Sequence, residues 1–392
     1  MDFIRNALRD AAEDYAEEMG VPRAVFNHVF PLDDENGNEY DPPTPPNETH
    51  VPSAQQQHYG PTVYGQDGEE KQPLHYRLSQ ATGKRKALLI GCNYPGSTAP
   101  LDGCINDVFN IKRFLVEHFG YGEEDIRVLS DSQSSHGEVG EAPPTRTNII
   151  RYISWLVGDA EPDDSLFFHC MRLTLMATRT DTNGSTNLSF WTWEVSPYMH
   201  YPTCVHKISF TSSNQDDLDG DEYDGKDESI CPTDYETAGV LVDDELHELL
   251  VKPLPEGAGL TALFDSCHSG SVLDLPWTYE TSGAIKQPDD LQGEAEDEAA
   301  AIDAHQKRFK WSPADVVSLS GCRDSQTSAD AQFGGLPSGA LSYAFIRAFA
   351  KFPQMTYAQL LKVIRNELHG KFDQKPQLSS SHPIDMDLLF VQ

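Results

Sequence analysis

The chain has 392 residues, with 62 acidic and 29 basic side chains and a formal net charge of −33 at pH 7. Such an acidic excess repels phosphate backbones and anionic lipids, and it argues against nucleic acid and membrane surfaces as partners. No run of about 18 apolar residues is present, so no membrane-spanning helix is predicted. The seven cysteines include no C-x-x-C pair, which argues against a zinc site and a disulfide scaffold. We therefore predict a cytoplasmic protein, with the nucleus as the alternative.

Residues 1–80 differ in composition from the rest of the chain. Residues 2–19 have the pattern of a short acidic amphipathic helix, but residues 22–73 contain nine prolines and few large aliphatic side chains. Such a stretch cannot bury enough apolar surface to offset the entropy that is lost on ordering. We predict an N-terminal extension that is largely disordered.

Short apolar strands alternate with amphipathic helices through the rest of the chain. The strands are predicted at 84–92, 164–169, 259–265 and 316–321, with an edge strand at 387–390. The helices are predicted at 102–120, from about 147 onward, at 340–351 and at 357–369. This alternation is typical of an α/β fold with a mostly parallel sheet that is covered by helices on both faces. In such a sheet, functional residues gather at the carboxyl ends of the strands.

Two segments interrupt this alternation. Residues 281–310 are rich in acids and end in a basic cluster, as expected of a solvated linker. Residues 170–215 are rich in Thr and Ser, have no clear period, and are too long for an ordinary loop. We therefore divide the ordered part into a large segment, 81–280, which contains the anomalous insertion, and a small segment, 311–392, which follows the linker.

A small polar turn follows the predicted strand 259–265. Its sequence, Asp265-Ser266-Cys267-His268-Ser269-Gly270, brings a thiol and several backbone N–H groups to the carboxyl end of the strand. Covalent acyl transfer requires this combination of a thiolate nucleophile and donors for the developing oxyanion. A lone cysteine is more often a buried, inert thiol, but the polar neighbours argue against apolar burial of Cys267. His268 is not expected to be its base, because adjacent residues at the end of a strand point to opposite sides.

Several segments of the chain, taken in order, share the pattern of one enzyme family. They are KRKALLIGCNY (84–94), LDGCINDV (101–108), DDSLFFH (163–169), DLDGDEYDGKDESICPTD (217–234), VDDELH (242–247), LTALFDSCHSGSVLDLP (260–276) and SLSGCRDSQTSADA (318–331). With these segments the chain resembles the type I metacaspases, which are caspase-like cysteine peptidases of fungi, plants and protists. The resemblance implies a caspase-like α/β/α sandwich, a prodomain at 1–80, and a monomeric cysteine-type endopeptidase. It further implies cleavage of protein or peptide substrates after Arg or Lys, stimulation by calcium, and self-processing of a zymogen.

Two carboxylates flank the predicted nucleophile. Asp265 lies two residues before Cys267, and Asp107 lies in the first turn of the helix after the first strand. A pair of carboxylates would bind an Arg or Lys side chain and repel an acidic one. By resemblance, Asp107, Asp265 and Cys104 form the substrate pocket. The alternative for Asp107 is that it only stabilises the N-terminus of its helix, as acids in a first turn do.

Acidic residues between 216 and 228 have part of the spacing of an EF-hand loop. Glu222 stands at the sixth position, where the sharp turn of that loop requires Gly, so an EF-hand is not predicted. The acids are then either a solvated loop or part of a hard-cation site that separate loops assemble. The resemblance implies Ca²⁺ as the cofactor and assigns its ligands to Asp227, Asp243, Asp244 and Asp274.

The catalytic histidine that the family pattern implies is not found. It should follow the strand that ends at His169, but Leu173 stands at its expected spacing, and His169 itself is only a weak candidate. The three explanations are an artefact of the gene model within 170–215, a pseudoenzyme that keeps the fold, and a substitute base among His169, His200 and His206. The alternative function is therefore a catalytically impaired pseudoenzyme, or a binding or quality-control protein.

Overall fold

The structure is a computed structural model that describes residues 75–97, 100–101, 103–171, 228–265, 272–279, 310–321, 339–369 and 376–392, together with the backbone of five short strands outside these ranges. Several sequence predictions lie outside the described residues. They are most of the N-terminal extension 1–80, most of the insertion 170–215, the linker 281–310 except for Lys310, and the single residues Cys267 and Asp227.

Seven strands form one central sheet. They are β1 (Arg85–Gly91), β2 (Ile126–Ser130), β3 (Ser165–Met171), β4 (Gly259–Asp265), β5 (Trp277–Tyr279), β6 (Asp315–Ser320) and β7 (Gln377–Ser380). Their order across the sheet is β5-β7-β6-β4-β3-β1-β2. Neighbouring strands are parallel from β6 to β2, whereas β7 is antiparallel to both β6 and β5. The predicted α/β fold with a mostly parallel sheet is confirmed.

Helices cover both faces of this sheet. They are α1 (Cys104–Phe119), α2 (Arg146–Val157), α3 (Tyr235–Ala238), α4 (Asp243–Leu246, continued by a π-helical turn at His247–Val251), α5 (Ala340–Lys351) and α6 (Tyr357–Leu368). Side chains of α1, α5 and α6 share one core cluster with one face of the sheet, and side chains of α2 and of the α4 region share the other. The result is the three-layered α/β/α sandwich that the resemblance implied.

The two core clusters follow from the alternation of side chains along each strand. In β1, Ala87 and Leu89 face the layer of α1, α5 and α6, whereas Leu88 and Ile90 face the layer of α2. Because both faces are covered, the strand is apolar at every one of these positions. That is why a continuous apolar run was a sufficient signal for the central strands.

Local signals fix the ends of several helices. Gly120 ends α1 in the left-handed region at φ 68°, as expected of a glycine after the last helical turn. The Thr145 side chain accepts a hydrogen bond from the backbone N–H of Asn148 and so caps α2. Thr356 and Gln359 form a capping box at the start of α6. Across the part of the chain that the structure describes, no helix is both long and apolar enough to cross a lipid bilayer.

Smaller sheets lie outside the central one. Strands Asn187–Phe190, Thr174–Thr178, Glu228–Ile230 and Leu241–Val242 form an antiparallel sheet in that order. Strand His58–Tyr59 pairs with His75–Tyr76. A hairpin of Asp330–Phe333 and Leu336–Gly339 leads directly into α5, which places that helix start next to the carboxyl edge of the sheet.

The prediction of an edge strand at 387–390 is wrong. Leu389 makes only an isolated bridge with Thr356, and the seventh strand is the more polar Gln377–Ser380. Leu388 and Phe390 are nevertheless buried in the core on the side of α1, α5 and α6. The apolar pattern there reflects burial of side chains without strand pairing. Three sheet strands, β2, β5 and β7, were not predicted from the sequence.

Candidate active site

The carboxyl ends of β1, β3 and β4 lie side by side at one edge of the sheet. Met171 at the end of β3 is paired with Gly91 of β1 and with Asp265 of β4. Cys267 lies outside the described residues, two positions after Asp265 in the chain. The last described residue before the predicted nucleophile is therefore located where a parallel sheet gathers functional groups.

The two predicted pocket carboxylates converge on the start of α5. The backbone N–H of Gly339 donates to Asp107 Oδ2 at 2.5 Å, and the backbone N–H of Ser342 donates to Asp265 Oδ2 at 2.7 Å. Both aspartates are almost completely buried. Anionic side chains are favoured at a helix N-terminus, because the first N–H groups of a helix have no partner within it. The helix start thus holds both carboxylates in place.

Gly339 allows this close approach. It precedes the first residue of α5 and has an ordinary extended backbone, with φ −75° and ψ 141°. A Cβ atom at this position would collide with the side chains of Met171 and Asp265. A side chain here would therefore displace the terminal methyl group of Met171 and push the Asp265 carboxylate away from the helix start.

The alternative interpretation of Asp107 does not account for its contacts. Its backbone N–H donates to the Gly103 carbonyl at 3.0 Å and so begins the hydrogen-bond ladder of α1. Its carboxylate, however, reaches across to Gly339 of a different element. Cys104, the third predicted pocket residue, is buried one turn earlier on α1. The structure thus brings Asp107 and Asp265 to one helix start, with Cys104 on the helix that carries Asp107.

His169, the weak candidate base, lies inside the core on β3. It is paired with Leu89 and Leu263 of the neighbouring strands, and its Nε2 lies 3.0 Å from the Ser342 hydroxyl oxygen. Burial lowers the pKa of His169 to about 3, so the ring is neutral at every physiological pH. A base must reach the nucleophile and the leaving group. The complete burial of His169 argues against that role.

We expect His169 to make the fold sensitive to acid. The unfolded chain would protonate this ring below a pKa of about 6.5, whereas the folded chain resists protonation down to about 3. Stability is therefore lost as the pH falls between these two values, by about 1.4 kcal/mol at pH 5.5 relative to pH 7.5. In the variant His169→Leu, the free energy of unfolding measured in urea should differ less between pH 5.5 and pH 7.5, by about this amount. The same substitution at the exposed His136 is the control, and an unaltered acid sensitivity in His169→Leu would contradict the assignment.

A second group of predicted site residues lies near the start of α4. Asp243 and Asp244 open this helix, and Asp274 lies in the segment before β5 with φ 46°. The Lys310 ammonium forms ion pairs with Asp244 Oδ1 and with Asp274 Oδ2, the latter at 3.1 Å. The Asp243 carboxylate accepts backbone hydrogen bonds from Glu228 at 2.6 Å and Asp244 at 2.9 Å. Two of the predicted calcium ligands are therefore close enough to share one cation.

His247 connects the two segments that carry these acids. It follows α4 directly, it is buried, and its Nδ1 lies 2.8 Å from the carbonyl oxygen of Leu273, the residue before Asp274. Burial lowers the pKa of His247 to about 4, and the positive charge of Lys310 contributes to the shift. Within the described residues, no three His, Cys, Asp or Glu side chains are arranged closely enough to form a metal site. Asp227, the fourth predicted ligand, lies outside those residues.

Lys310 and Ser342 were not among the predicted site residues. Lys310 was grouped with the basic end of a solvated linker, although it is only 5% exposed. Ser342 lies within the apolar pattern of α5, and its backbone and side chain contact Asp265 and His169. A signal for Ser342 was present, since a small polar residue in the first turn of a buried helix is a frequent hydrogen-bonding position. No local signal identified Lys310.

A model of a known protein family matches part of the chain. The family model described as metacaspase, peptidase C14 domain, matches residues 85–187 and 204–276. The match is interrupted at 188–203, within the segment 170–215 that the sequence identified as anomalous. The remaining matched residues include strands β1 to β4 and helices α1, α2 and α4.

Three curated fungal proteins illustrate the similarity. Metacaspase-1 of Cryptococcus neoformans var. neoformans serotype D (strain JEC21) is 43% identical over 369 residues, which cover 87% of this chain and 71% of the relative. Metacaspase-1 of Saccharomyces cerevisiae (strain S288c) is 42% identical, with 88% and 76% covered. Metacaspase-1 of Schizosaccharomyces pombe is 41% identical, with 81% and 72% covered. A crystal structure of a Geobacter sulfurreducens protein aligns over 77% of this chain and 95% of that one at 20% identity, and its TM-score of 0.45 is too low to support an argument.

Proposed function

Because the chain belongs to the type I metacaspases, a family of cysteine peptidases, we propose that it cleaves protein substrates after Arg or Lys, that Ca²⁺ stimulates it, and that it processes itself in its acidic linker. Family membership makes it a cysteine-type endopeptidase with protein substrates. The basic specificity, the calcium and the self-processing rest on particular residues. We further propose that the active form is a monomer.

The convergence of Asp107 and Asp265 carries the proposed specificity. Both carboxylates are buried and are held at one helix start, and Asp265 precedes Cys267 by two residues in the chain. A guanidinium or ammonium group that enters beside them would form charge-assisted hydrogen bonds in a site from which water is largely excluded. An acidic side chain would be repelled by both aspartates. The arrangement therefore favours Arg and Lys before the cleaved bond.

The proposed chemistry is acyl transfer to Cys267. Its thiolate would attack the carbonyl carbon of the basic residue, and backbone N–H groups of its turn would stabilise the oxyanion. The bond between carbon and nitrogen would then break, the leaving amine would take a proton, and water would hydrolyse the thioester. A thiol with a pKa near 8.5 is only a few per cent ionised at neutral pH, so this sequence of steps needs a base.

The missing histidine leaves three explanations, and two observations bear on them. The interruption of the family match at 188–203 agrees with inserted residues, as from a retained intron, but the match includes Leu173 at the expected position of the histidine. The burial of His169 weighs against its use as a substitute base. Sequencing the transcript across residues 165–220 distinguishes the first explanation from the rest, since a spliced message that encodes Ser-Gly-His-Gly would identify the artefact. An unchanged message would favour the pseudoenzyme.

The proposed calcium ligands are Asp243, Asp244 and Asp274, with Asp227 assigned by resemblance. Carboxylate oxygens are the donors that Ca²⁺ prefers. The ammonium of Lys310 between Asp244 and Asp274 supports the assignment, because these two acids already hold a cation in common. When bound, Ca²⁺ would neutralise the acids and connect the start of α4 to the segment before β5.

A peptide panel tests the proposed function. Fluorogenic peptides with Arg, Lys or Asp before the cleaved bond are incubated with the full chain in millimolar Ca²⁺ or in chelator. We expect cleavage of the Arg and Lys peptides that depends on Ca²⁺, and no cleavage of the Asp peptide. Cleavage after Asp would contradict the proposed specificity for basic residues. Activity that is unchanged in chelator would contradict the proposed stimulation by Ca²⁺.

Self-processing is expected within the linker 281–310. It contains Lys286, Lys307 and Arg308 among many acids, and these three are the candidate cut sites. Incubation with Ca²⁺ should give two fragments, and N-terminal sequencing of the smaller one should identify a cut after one of them. A cut after an acidic residue would contradict the specificity, and an intact chain would contradict self-processing.

The second candidate function is a binding or quality-control protein without peptidase activity. The absence of the expected histidine favours it. On this interpretation the fold and the N-terminal extension would serve association, and none of the peptides would be cleaved in either condition.

A further inference from the structure

Lys310 is a buried charge that two acids share. Its side chain is 6% exposed, and its ammonium pairs with Asp244 Oδ1 and with Asp274 Oδ2. Lysine is almost never buried without a partner, because removing an ammonium from water is costly unless opposite charges compensate it. The side chain of Asp274 is only 2% exposed. The two charges therefore compensate each other inside the protein.

Asp244 and Asp274 are also two of the proposed calcium ligands. Ca²⁺ binds carboxylate oxygens at about 2.3–2.6 Å, and the Lys310 nitrogen already lies 3.1 Å from Asp274 Oδ2. A Ca²⁺ ion held by Asp244 and Asp274 would need the carboxylate oxygens that the Lys310 ammonium pairs with, and the two positive charges would repel each other. Lys310 and Ca²⁺ therefore compete for the same oxygens.

We propose that Lys310 is a tethered competitor of calcium, which must leave the carboxylates of Asp244 and Asp274 before Ca²⁺ can bind. This inference rests on the proposed calcium site and describes its regulation. While the ammonium is in place, the site is closed to other cations. The apparent dissociation constant for Ca²⁺ is then the intrinsic constant divided by the fraction of molecules in which Lys310 has left the two carboxylates. The chain would respond only to high calcium concentrations.

The chain directly after Lys310 is packed firmly against its neighbours. The next residue, Trp311, packs edge-to-face against Tyr76 at 5.5 Å and against Trp277 at 5.8 Å between ring centroids. Strand β6 follows and lies between β4 and β7. These contacts anchor the backbone on the C-terminal side of Lys310. In the proposed exchange, the lysine side chain would move away from the carboxylates while its backbone stays in place.

The first test measures Ca²⁺ binding by calorimetry to the full chain in a Cys267→Ala background, which prevents self-processing. The substitution Lys310→Met removes the charge and keeps most of the length, so we expect the dissociation constant to fall about tenfold or more. Lys310→Arg keeps the charge and should bind Ca²⁺ no more tightly than the parent. Lys84→Met is the matched control, because Lys84 is 53% exposed and pairs with the exposed Asp159 and Glu161 at the surface. It changes the net charge equally and should leave the affinity unchanged.

A second measurement avoids any change to Lys310. An amine-acetylating reagent, followed by mass spectrometry, should label Lys310 slowly in chelator and several times faster at saturating Ca²⁺. Labelling of Lys84 should be equal in both conditions.

Equal affinities of the parent and Lys310→Met, or labelling of Lys310 that saturating Ca²⁺ does not change, would overturn the competition and leave the calcium site standing. Absence of Ca²⁺ binding in both proteins would overturn the calcium site and the competition together. Binding by Lys310→Met alone would support both.

Discussion

Replacement of Cys267 by alanine is expected to abolish cleavage of Arg and Lys peptides and self-processing together. In the proposed mechanism the Cys267 thiolate forms the covalent intermediate, and the methyl group of alanine cannot do so. We expect kcat/KM to fall by a factor of about 10³ or more, to the uncatalysed background. The measurement is the rate of release from the fluorogenic Arg peptide in millimolar Ca²⁺.

Cys170→Ala is the matched control for that loss. Cys170 is a buried cysteine of β3, near the same edge of the sheet, but its side chain packs in the core on the side of α2. Its replacement should reduce stability somewhat and leave kcat/KM within a few-fold of the wild type. Retention of activity in Cys267→Ala would exclude Cys267 as the nucleophile. Inactivity of the wild-type chain as well would favour the binding protein over the peptidase.

The sequence predicted the central strands because each of them is buried on both faces. Leu88, Leu89 and Ile90, for example, are consecutive apolar residues, as expected of a short strand that is covered on both faces. The strand β7 reads Gln-Leu-Ser-Ser and gave no such signal. Its place in the sheet comes from antiparallel pairing with β6 and β5, which are distant in the chain. The opposite error occurred at 387–390, where the apolar residues predicted a strand but are buried without strand pairing.

The site could be predicted only in part for the same reason. Asp265 and Asp107 were identified because each stands at the end of a strand or the start of a helix. Their meeting at Gly339 depends on a helix start from another part of the chain, and a local pattern does not contain that information. Lys310 shows the limit most clearly, since a lysine in a charged stretch is almost always exposed. Its burial requires two carboxylates from distant segments.

Asp265→Asn is expected to remove most of the activity toward Arg peptides while the fold is retained. The asparagine side-chain oxygen can still accept the hydrogen bond from the Ser342 N–H that Asp265 accepts at 2.7 Å, so the start of α5 keeps its partner. The charge is lost, and an arginine in the pocket is then left with only the carboxylate of Asp107. Removal of one member of a buried charge pair costs about 2–5 kcal/mol, so we expect kcat/KM for the Arg peptide to fall about 30-fold or more.

Asp164→Asn separates this loss from general damage to the sheet. Asp164 is as buried as Asp265, and its carboxylate likewise accepts backbone hydrogen bonds, from Lys84 at 2.7 Å and Glu161 at 2.9 Å. It lies just before β3, however, at the opposite edge of the sheet from the end of β4. Its substitution should lower the melting temperature and leave the preference for Arg over uncharged peptides unchanged. If both variants lost activity equally and toward all peptides, Asp265 would be a structural acid that holds α5, and the specificity for basic residues would have to come from another part of the protein.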